Sequence, residues 1–422
     1  MSDFFGLAFL WNVIIYSPDG PFKCTLLRWW TSIKEVRENQ GIFVGDRGWD
    51  LMIQNDISLL REMLEDMKRA PPLYRPGNYW IYYIERIARE IEKGDLNYFR
   101  NVVSGPGSMS SFGGGRDLEG IKYGWHLYPF HPVFKGFDAS PVVRWYNRFI
   151  DHLYEIHPCF GFLAFRGALA RDYFQDTITA LQDAAWMVAE AHDTRNLLHQ
   201  IEDSREGNPV GFQRQGRFYT VRFLDEVMQV FFLQDNVDIG KVQTVLELGS
   251  GIGLKAATYL QMNRDLTYIL VDIPPGLYVA QQYLSAMHEK ILPYHRVKDE
   301  LERGLDIHDY RAICIAPWML DSLKDLHCDL FINVASFQEM EPWLVENYVS
   351  HIKRFRSDWV YLSELKEGHF LGKKGEHGLL KQTKYQDYLK FLGPEYQLVK
   401  EENLKGALSL SDASCNMLFK RG

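Results

Sequence analysis

The chain has 422 residues, with 47 Lys+Arg against 55 Asp+Glu for a formal net charge of −8, and it is 46% hydrophobic and 24% charged. That balance is ordinary for a globular protein and excludes disordered, collagen-like and low-complexity chains; its acidic sign gives no general attraction to nucleic acid or to an anionic membrane. The length suits two or three domains of roughly 100–200 residues each.

The first notable run is FFGLAFLWNVIIY, Phe4 to Tyr16. At 13 residues it is too short to span a bilayer, and Asp3 stands where a signal peptide would be basic. A buried strand or a docking segment is expected, and no membrane partner. Residues 1–70 form an N-terminal extension with no assigned role.

From there to about residue 240 the apolar residues recur at helical spacing. Ile57, Leu60, Leu64 and Met67 make one stripe, and Trp80, Ile84, Ile87 and Ile91 a second. Leu181, Ala185 and Val188 make a third, and Leu224, Val227, Met228 and Phe231 a fourth. Residues 71–240 therefore read as a mainly helical region that caps a substrate site. Within it lies the glycine-rich run Ser104 to Gly115, whose neighbouring aromatics Phe112, Tyr123, Trp125, Tyr128 and Phe130 favour an ordered flap over a solvated linker.

After Lys241 the texture changes to short β-rich runs, TVLEL, TYILVDI, AICIA, DLFINV, WVYLSEL and NMLFK, alternating with helices that begin near Ile252, Leu277, Pro342 and Gln382. Continuous apolar strands alternating with helices describe a parallel sheet covered on both faces. The five cysteines, Cys24, Cys159, Cys314, Cys328 and Cys415, are too scattered for a disulfide framework or a metal cluster and read as buried thiols of a reducing, cytoplasmic compartment.

The chemistry concentrates at the first strand–helix junction, TVLELGSGIGLKAATYL. Gly249, Gly251 and Gly253 let the backbone turn sharply beside a ligand, at the strand end where open α/β sheets bind theirs. A dinucleotide fingerprint fits poorly: its third small residue is replaced by Leu254, and Glu247 would repel a pyrophosphate. Lys255 lacks the context of a phosphate-binding loop. A cationic ligand suits Glu247 better.

ELGSGIG resembles the first motif, E-x-G-x-G-x-G, of class I S-adenosylmethionine-dependent methyltransferases. The fold implied is α/β, a Rossmann-like class I methyltransferase sheet over residues 241–422 with a largely helical N-terminal domain before it. The resemblance implies that Glu247, Gly249, Ser250, Gly251 and Gly253 pass beneath the cofactor. It also implies that Asp272, 19 residues after Gly253, accepts from the ribose hydroxyls and that Ile273 packs on adenine. Trp318 falls where the family stacks a residue beside adenine, although it reads equally as core, and Asn333 closes the fourth strand near the cofactor.

From about Tyr74 onward, the runs YRPGNYWIYYIERIAREIEKGDLNYFRN, GNPVGFQRQGRFYT, VDIPPGLYVAQQYLSA and INVASFQEM together resemble the sugar O-methyltransferase group. That resemblance implies O-methylation of a small polar acceptor, a sugar or a sugar-containing metabolite, within natural product biosynthesis, and S-adenosylhomocysteine as product. A hydroxyl acceptor needs its proton removed, so the base candidates are Glu339 in SFQEM and His369 in SELKEGHF, with a helix-end carboxylate and a solvated loop histidine as their structural alternatives. Ser336 and Gln338 are placed to hydrogen-bond a polyol, and His377 sits in a charged, glycine-rich cover loop. Tyr219 and Arg222, with Arg217, either close over the bound molecule or form salt bridges between regions.

No metal is expected: His126 and His131, like His152 and His157, stand five apart, which turns their rings to different helix faces. The expected partners are a small-molecule acceptor and, at most, a second copy of the chain, with no nucleic acid. Three alternatives stay open. One is N-, S- or C-methylation of another metabolite, one a non-catalytic subunit that keeps the cofactor pocket, and one a nicotinamide-dependent reductase.

Overall fold

The computed structural model describes residues 53–94, 96–100, 182–209, 211–403 and 414–422. The apolar run Phe4–Tyr16, the glycine-rich run 104–115 with its aromatics, and the four paired histidines between 126 and 157 lie outside the described residues, as do Cys24 and Cys159.

The helical stripes form helices where their spacing predicts them. α1 spans Ile57–Arg69, started by Asp56, whose side chain accepts from the Leu59 N–H at 3.1 Å, and it buries Leu60, Met63 and Met67. α2 spans Asn78–Lys93 and buries Ile84, Ile87 and Ile91. A further helical stretch covers 182–192. A small hairpin, β1 (Phe212–Arg214) and β2 (Arg217–Tyr219), then leads into α3, Val221–Asn236. Thr220 caps α3 by accepting from the Phe223 N–H at 3.0 Å and donates to Asp203, which is itself paired with the buried Arg100 at 2.6 Å.

The remaining elements build one sheet. β3 is Thr244–Leu248, followed by α4 (Leu254–Met262), β4 (Thr267–Val271) and α5 (Gly276–Met287). Next come β5 (Ile291–Leu292), α6 (Tyr294–Arg303), β6 (Ala312–Ile315), β7 (Leu330–Val334) and α7 (Pro342–Arg354). β8 (Trp359–Leu365), α8 (Tyr385–Leu392), β9 (Tyr396–Asn403) and β10 (Ser414–Arg421) complete it. The strand order is β5–β6–β4–β3–β7–β8–β10–β9. Every pairing from β5 to β8 is parallel, and β10 runs antiparallel to both of its neighbours. This is a doubly wound, Rossmann-like α/β sheet.

Alternation along the strands divides the core in two, as the pleat requires. Val245, Tyr268, Leu270, Leu330, Ile332 and Tyr361 face a core shared with α1, α2, α3, α4 and α5. Leu246, Ile269, Val271, Phe331, Val360 and Leu362 face a second core shared with α7 and α8. The N-terminal helices thus cover one face of the sheet, and the described residues fall in one compact unit. The chain leaves β3 toward β4 on one side and returns through β7 on the other. The crevice at that change of direction, outside the carboxyl ends of the strands, is where such sheets hold ligands.

Candidate functional site

A cavity of about 400 Å³ opens at that crevice, within the size range of small-molecule sites. Its floor is the turn after β3. Gly249, Gly251 and Gly253 all take positive φ (+78°, +55° and +78°), for three separate reasons. A Cβ on Gly249 would lie 2.2 Å from Ser336 Oγ, and one on Gly253 would press on Ala280 of α5 at 3.3 Å. A Cβ on Gly251 would meet no protein atom within 4 Å; it would stand in the cavity. Gly253 thus serves helix packing behind the floor and does not line the cavity.

Asp272, just past β4, reaches across to this turn. Its Oδ2 accepts from the Gly251 N–H at 2.6 Å and its Oδ1 from the Ile273 N–H at 2.7 Å. Burial pushes its carboxyl up to about 7 against the pull of those two bonds. Glu247, only 2% exposed, is likewise pushed up to about 7 by burial, opposed by nearby Lys255 and by the Tyr268 hydroxyl that donates to it at 2.8 Å. It is therefore a partly protonated carboxyl near neutrality, not the free anion that its sequence position suggests. Lys255 is tied to Glu226 and to Gln229, and Arg222 pairs with the other oxygen of Glu226 at 2.5 Å. Arg222, Glu226, Glu247 and Lys255 all line the cavity, Arg222 and Glu226 coming from α3.

The opposite wall starts at the end of β7. Ala335 adopts φ +53°, a left-handed conformation costly for any residue with a Cβ, and this bend turns the chain into a 3₁₀ turn, Phe337–Glu339. Ser336, Gln338 and Glu339 line the cavity as a result. Buried Glu364 holds the turn in place, accepting from the Gln338 N–H at 2.9 Å and from the Ser336 N–H at 3.4 Å. The Glu339 carboxyl is pushed up to about 8 by burial, with hydrogen bonds to Trp80 and Tyr79 pulling the other way.

Trp80 and Tyr79 come from α2, which forms the lid together with Tyr83 and Arg75. The lid is anchored by Asn78. Its Nδ2 donates to the carbonyls of Lys373, Glu376 and Gly378 at 2.8–3.0 Å, and its Oδ1 accepts from the Gly375 N–H at 2.8 Å. Glu341 binds both the Asn78 N–H and the Leu380 N–H. Helix α2 and the loop after β8 are thus locked together.

Several residues singled out in the sequence stand elsewhere. Trp318 packs edge-on against Tyr294, with ring centroids 6.3 Å apart, while its neighbour Pro317 lines the cavity. Asn333 is fully buried as a strut, donating to the Leu248 carbonyl at 2.7 Å and accepting from the Phe337 N–H at 2.8 Å. Tyr219 donates to the Leu198 carbonyl at 2.6 Å beside Trp186, in the core, and Arg217 stands 4.0 Å from Glu202. His369 and His377 form a second layer behind the lid. His369 meets Tyr79 edge-on at 4.9 Å, and His377 is hydrogen-bonded to Tyr83 and stacked on Tyr82 at 5.3 Å. Burial pushes both imidazoles below their usual range, which favours their neutral form. Glu247, Gly249, Ser250, Gly251, Asp272, Ile273, Arg222, Ser336, Gln338 and Glu339 do converge on the one cavity.

Trp80, which pattern reading placed in a core stripe, lines the cavity, and so do Tyr79 and Tyr83, which pattern reading did not single out. The available signal was the density of YWIYY, more aromatic than a buried helix face needs. Among the described residues, His327, Asp329 and Asp358 bring side-chain oxygen and nitrogen atoms within 4.8 Å of one another, at the opposite, amino-terminal edge of β7 and β8. No described helix is long and apolar enough to cross a membrane.

No family model and no curated protein matches the chain. Among solved structures it is similar to a SAM-dependent methyltransferase from Leishmania major, at 12% identity over 46% of this chain and 71% of that one, with a TM-score of 0.33. It is also similar to magnesium protoporphyrin IX methyltransferase from Synechocystis with bound SAH, at 15% identity over 48% and 83%, with a TM-score of 0.31. A third is the N,N-8-amino-8-demethyl-D-riboflavin dimethyltransferase RosA from Streptomyces davawensis, at 12% identity over 74% and 73%, again with a TM-score of 0.31.

Proposed function

We propose that the chain is an S-adenosylmethionine-dependent methyltransferase acting on a small polar acceptor, by O-methylation of a sugar or sugar-containing metabolite. The observation that carries this reading is Gly251: its missing side chain leaves open cavity, and its N–H is held by the carboxylate at the end of the next strand. Two further features fit the cofactor. The Ser250 hydroxyl is buried on the cavity wall without a protein partner, and the cations Lys255 and Arg222 are both paired with Glu226, which takes them from the service of a pyrophosphate.

In this reading Asp272 accepts from the ribose hydroxyls, Ile273 and Pro317 flank the base, and Glu247 and the 249–251 turn support the amino-acid end. When bound, the cofactor supplies a methyl group already activated on a sulfonium. What the chain adds is placement: the lid of α2 and the β7 turn fix the acceptor and exclude water, an effect worth up to about 7–11 kcal/mol in favourable cases. Glu339 takes the acceptor's hydroxyl proton on its carboxylate, a contribution of roughly 10²–10⁴-fold. His369 and His377 act through Tyr79 and Tyr83, since both lie behind those rings. Transfer of labelled methyl from S-adenosylmethionine to a panel of polyols, amines and thiols tests the reading. Labelled polyol supports it; label on amines or thiols alone, or on nothing, rejects O-methylation.

A further inference from the structure

At the edge of the sheet opposite the cavity, β7 and β8 begin side by side, with Leu330 paired to Trp359. The residues just before that pair, Asp329 and Asp358, bring two carboxylates next to each other, which their like charge opposes. His327 stands between them, with Nε2 3.5 Å from Asp329 Oδ1 and 3.4 Å from Asp358 Oδ2. Backbone bonds fix these positions. The Asp358 N–H donates to the Cys328 carbonyl at 3.1 Å, the Trp359 N–H to the Asp329 carbonyl at 3.0 Å, and the Asp329 N–H to the Thr244 carbonyl at 3.1 Å. The Asp329 carboxylate is held as well: its Oδ2 accepts from the Gln243 and Thr244 N–H groups at 2.7 and 2.9 Å, which leaves Oδ1 for the side of the imidazole.

We infer that His327, Asp329 and Asp358 form a Zn²⁺ site that ties together the amino ends of β3, β7 and β8. The inference is independent of the methyl-transfer reading. Spacing selects the ion. Ligand atoms about 2.0–2.2 Å from a tetrahedral Zn²⁺ stand about 3.3–3.6 Å from one another, and both separations from Nε2 fall within that interval. Octahedral Mg²⁺, at about 2.0–2.1 Å, would draw neighbouring ligands to about 2.8–3.0 Å, and Ca²⁺ takes oxygen ligands, which an imidazole is not. A bare ion pair fits less well. An imidazole N–H bonded to a carboxylate would close to about 2.7–3.2 Å, and the single hydrogen on Nε2 cannot serve two oxygens that both stand off farther than that. A cation between the three atoms answers both the gap and the repulsion of the carboxylates. The backbone bonds to Asp329 Oδ2 orient the ligand before the ion arrives, as the outer partners of metal ligands do. His327 and Asp358 are both open to solvent, which gives the ion a way in and a water for its fourth place. The donors come from two strand starts, so no local spacing in the sequence pairs them.

Isothermal titration of Zn²⁺ into the full chain, first stripped by a chelator, tests the site against His327→Ala and Asp358→Asn, with Mg²⁺ as control. The expected result is a Zn²⁺ site in the wild type that each substitution weakens at least about tenfold, and Mg²⁺ held at least about tenfold more weakly than Zn²⁺. Zn²⁺ should also raise the denaturant midpoint of the wild type and leave that of both variants where it was, because the folded chain alone presents the three donors together. Co²⁺ in the same place should show no thiolate charge-transfer band, since no sulfur is among its ligands. Zn²⁺ affinity and midpoint shift that are equal in the wild type and both variants, Mg²⁺ bound as tightly as Zn²⁺, or a thiolate band that survives in His327→Ala would each overturn the site.

Discussion

Gly249 and Gly251 are indistinguishable in sequence, yet each is a glycine for its own reason. At Gly249 any side chain would strike Ser336, whereas at Gly251 the obstacle is only the backbone angle and the space the ligand needs. Gly251→Ala should therefore fold with a loss of about 1–2 kcal/mol while S-adenosylhomocysteine affinity falls at least about tenfold. Gly249→Ala should lose more stability than Gly251→Ala, by about 1–3 kcal/mol from overpacking, in a denaturant titration. Equal stability losses would contradict the division. The glycine motif and the resemblance it carries pointed to Gly251 and Asp272, and the end of the fourth strand to Glu339; all three line the cavity. Position along a strand does not say which way a side chain is turned or what already occupies it, so the contacts of Asn333, Tyr219 and Gly253 were not legible, while Trp318 takes the packing alternative of its two readings.

The titration of the cavity is also a matter of single residues. Burial holds the protons of Glu247 and Asp272 up to about 7 and that of Glu339 up to about 8, where an unfolded chain would have released them near the ordinary carboxylate range. The folded chain thus binds more protons than the unfolded one over that window. Its stability must fall as pH rises from the ordinary range through those values. Glu339→Gln removes one such loss, so its denaturant midpoint should gain on the wild type progressively from about pH 5 to about pH 8. A difference that is constant with pH would show that Glu339 ionises normally.

At the scale of elements, the lid depends on one buried amide. Asn78 makes four hydrogen bonds to the backbone between Lys373 and Gly378, and its own N–H is held by Glu341. Asn78→Ala should cost about 1–3 kcal/mol and speed amide exchange at Gly375 and through α2, while the turn after β3 stays protected. Unchanged exchange at Gly375 would mean that the loop is held by other contacts. The long elements were legible because apolar period and length agree in α1, α2, α3, α7, β3, β4, β7 and β8. The missed ones are short or polar. β5 has two residues, α6 buries only Tyr294 and Val297, and β9, YQLVKEEN, is an edge strand mostly open to solvent, where charge guards against pairing with other chains. The hairpin of β1 and β2 interrupts a region whose apolar spacing is helical on both sides.

At the scale of the whole molecule, the sheet order puts the ends of β3, β4 and β7 side by side, and the N-terminal helices close the space above them. That enclosure was only partly legible. The alternation of strands and helices implied the crevice, but no local pattern could say that α2 would lie over it, because the packing of α2 depends on residues nearly three hundred positions later, from Lys373 to Gly378. The central claim is that this enclosed space holds an adenosyl sulfonium compound or its demethylated product. Isothermal titration of S-adenosylhomocysteine and of NADH into the wild type and into Asp272→Ala tests it most directly. The account predicts one S-adenosylhomocysteine per chain, weakened at least about tenfold (about 1.4 kcal/mol) by the substitution, and no heat from NADH. Binding of NADH, or S-adenosylhomocysteine affinity untouched by loss of the Asp272 carboxylate, would contradict it.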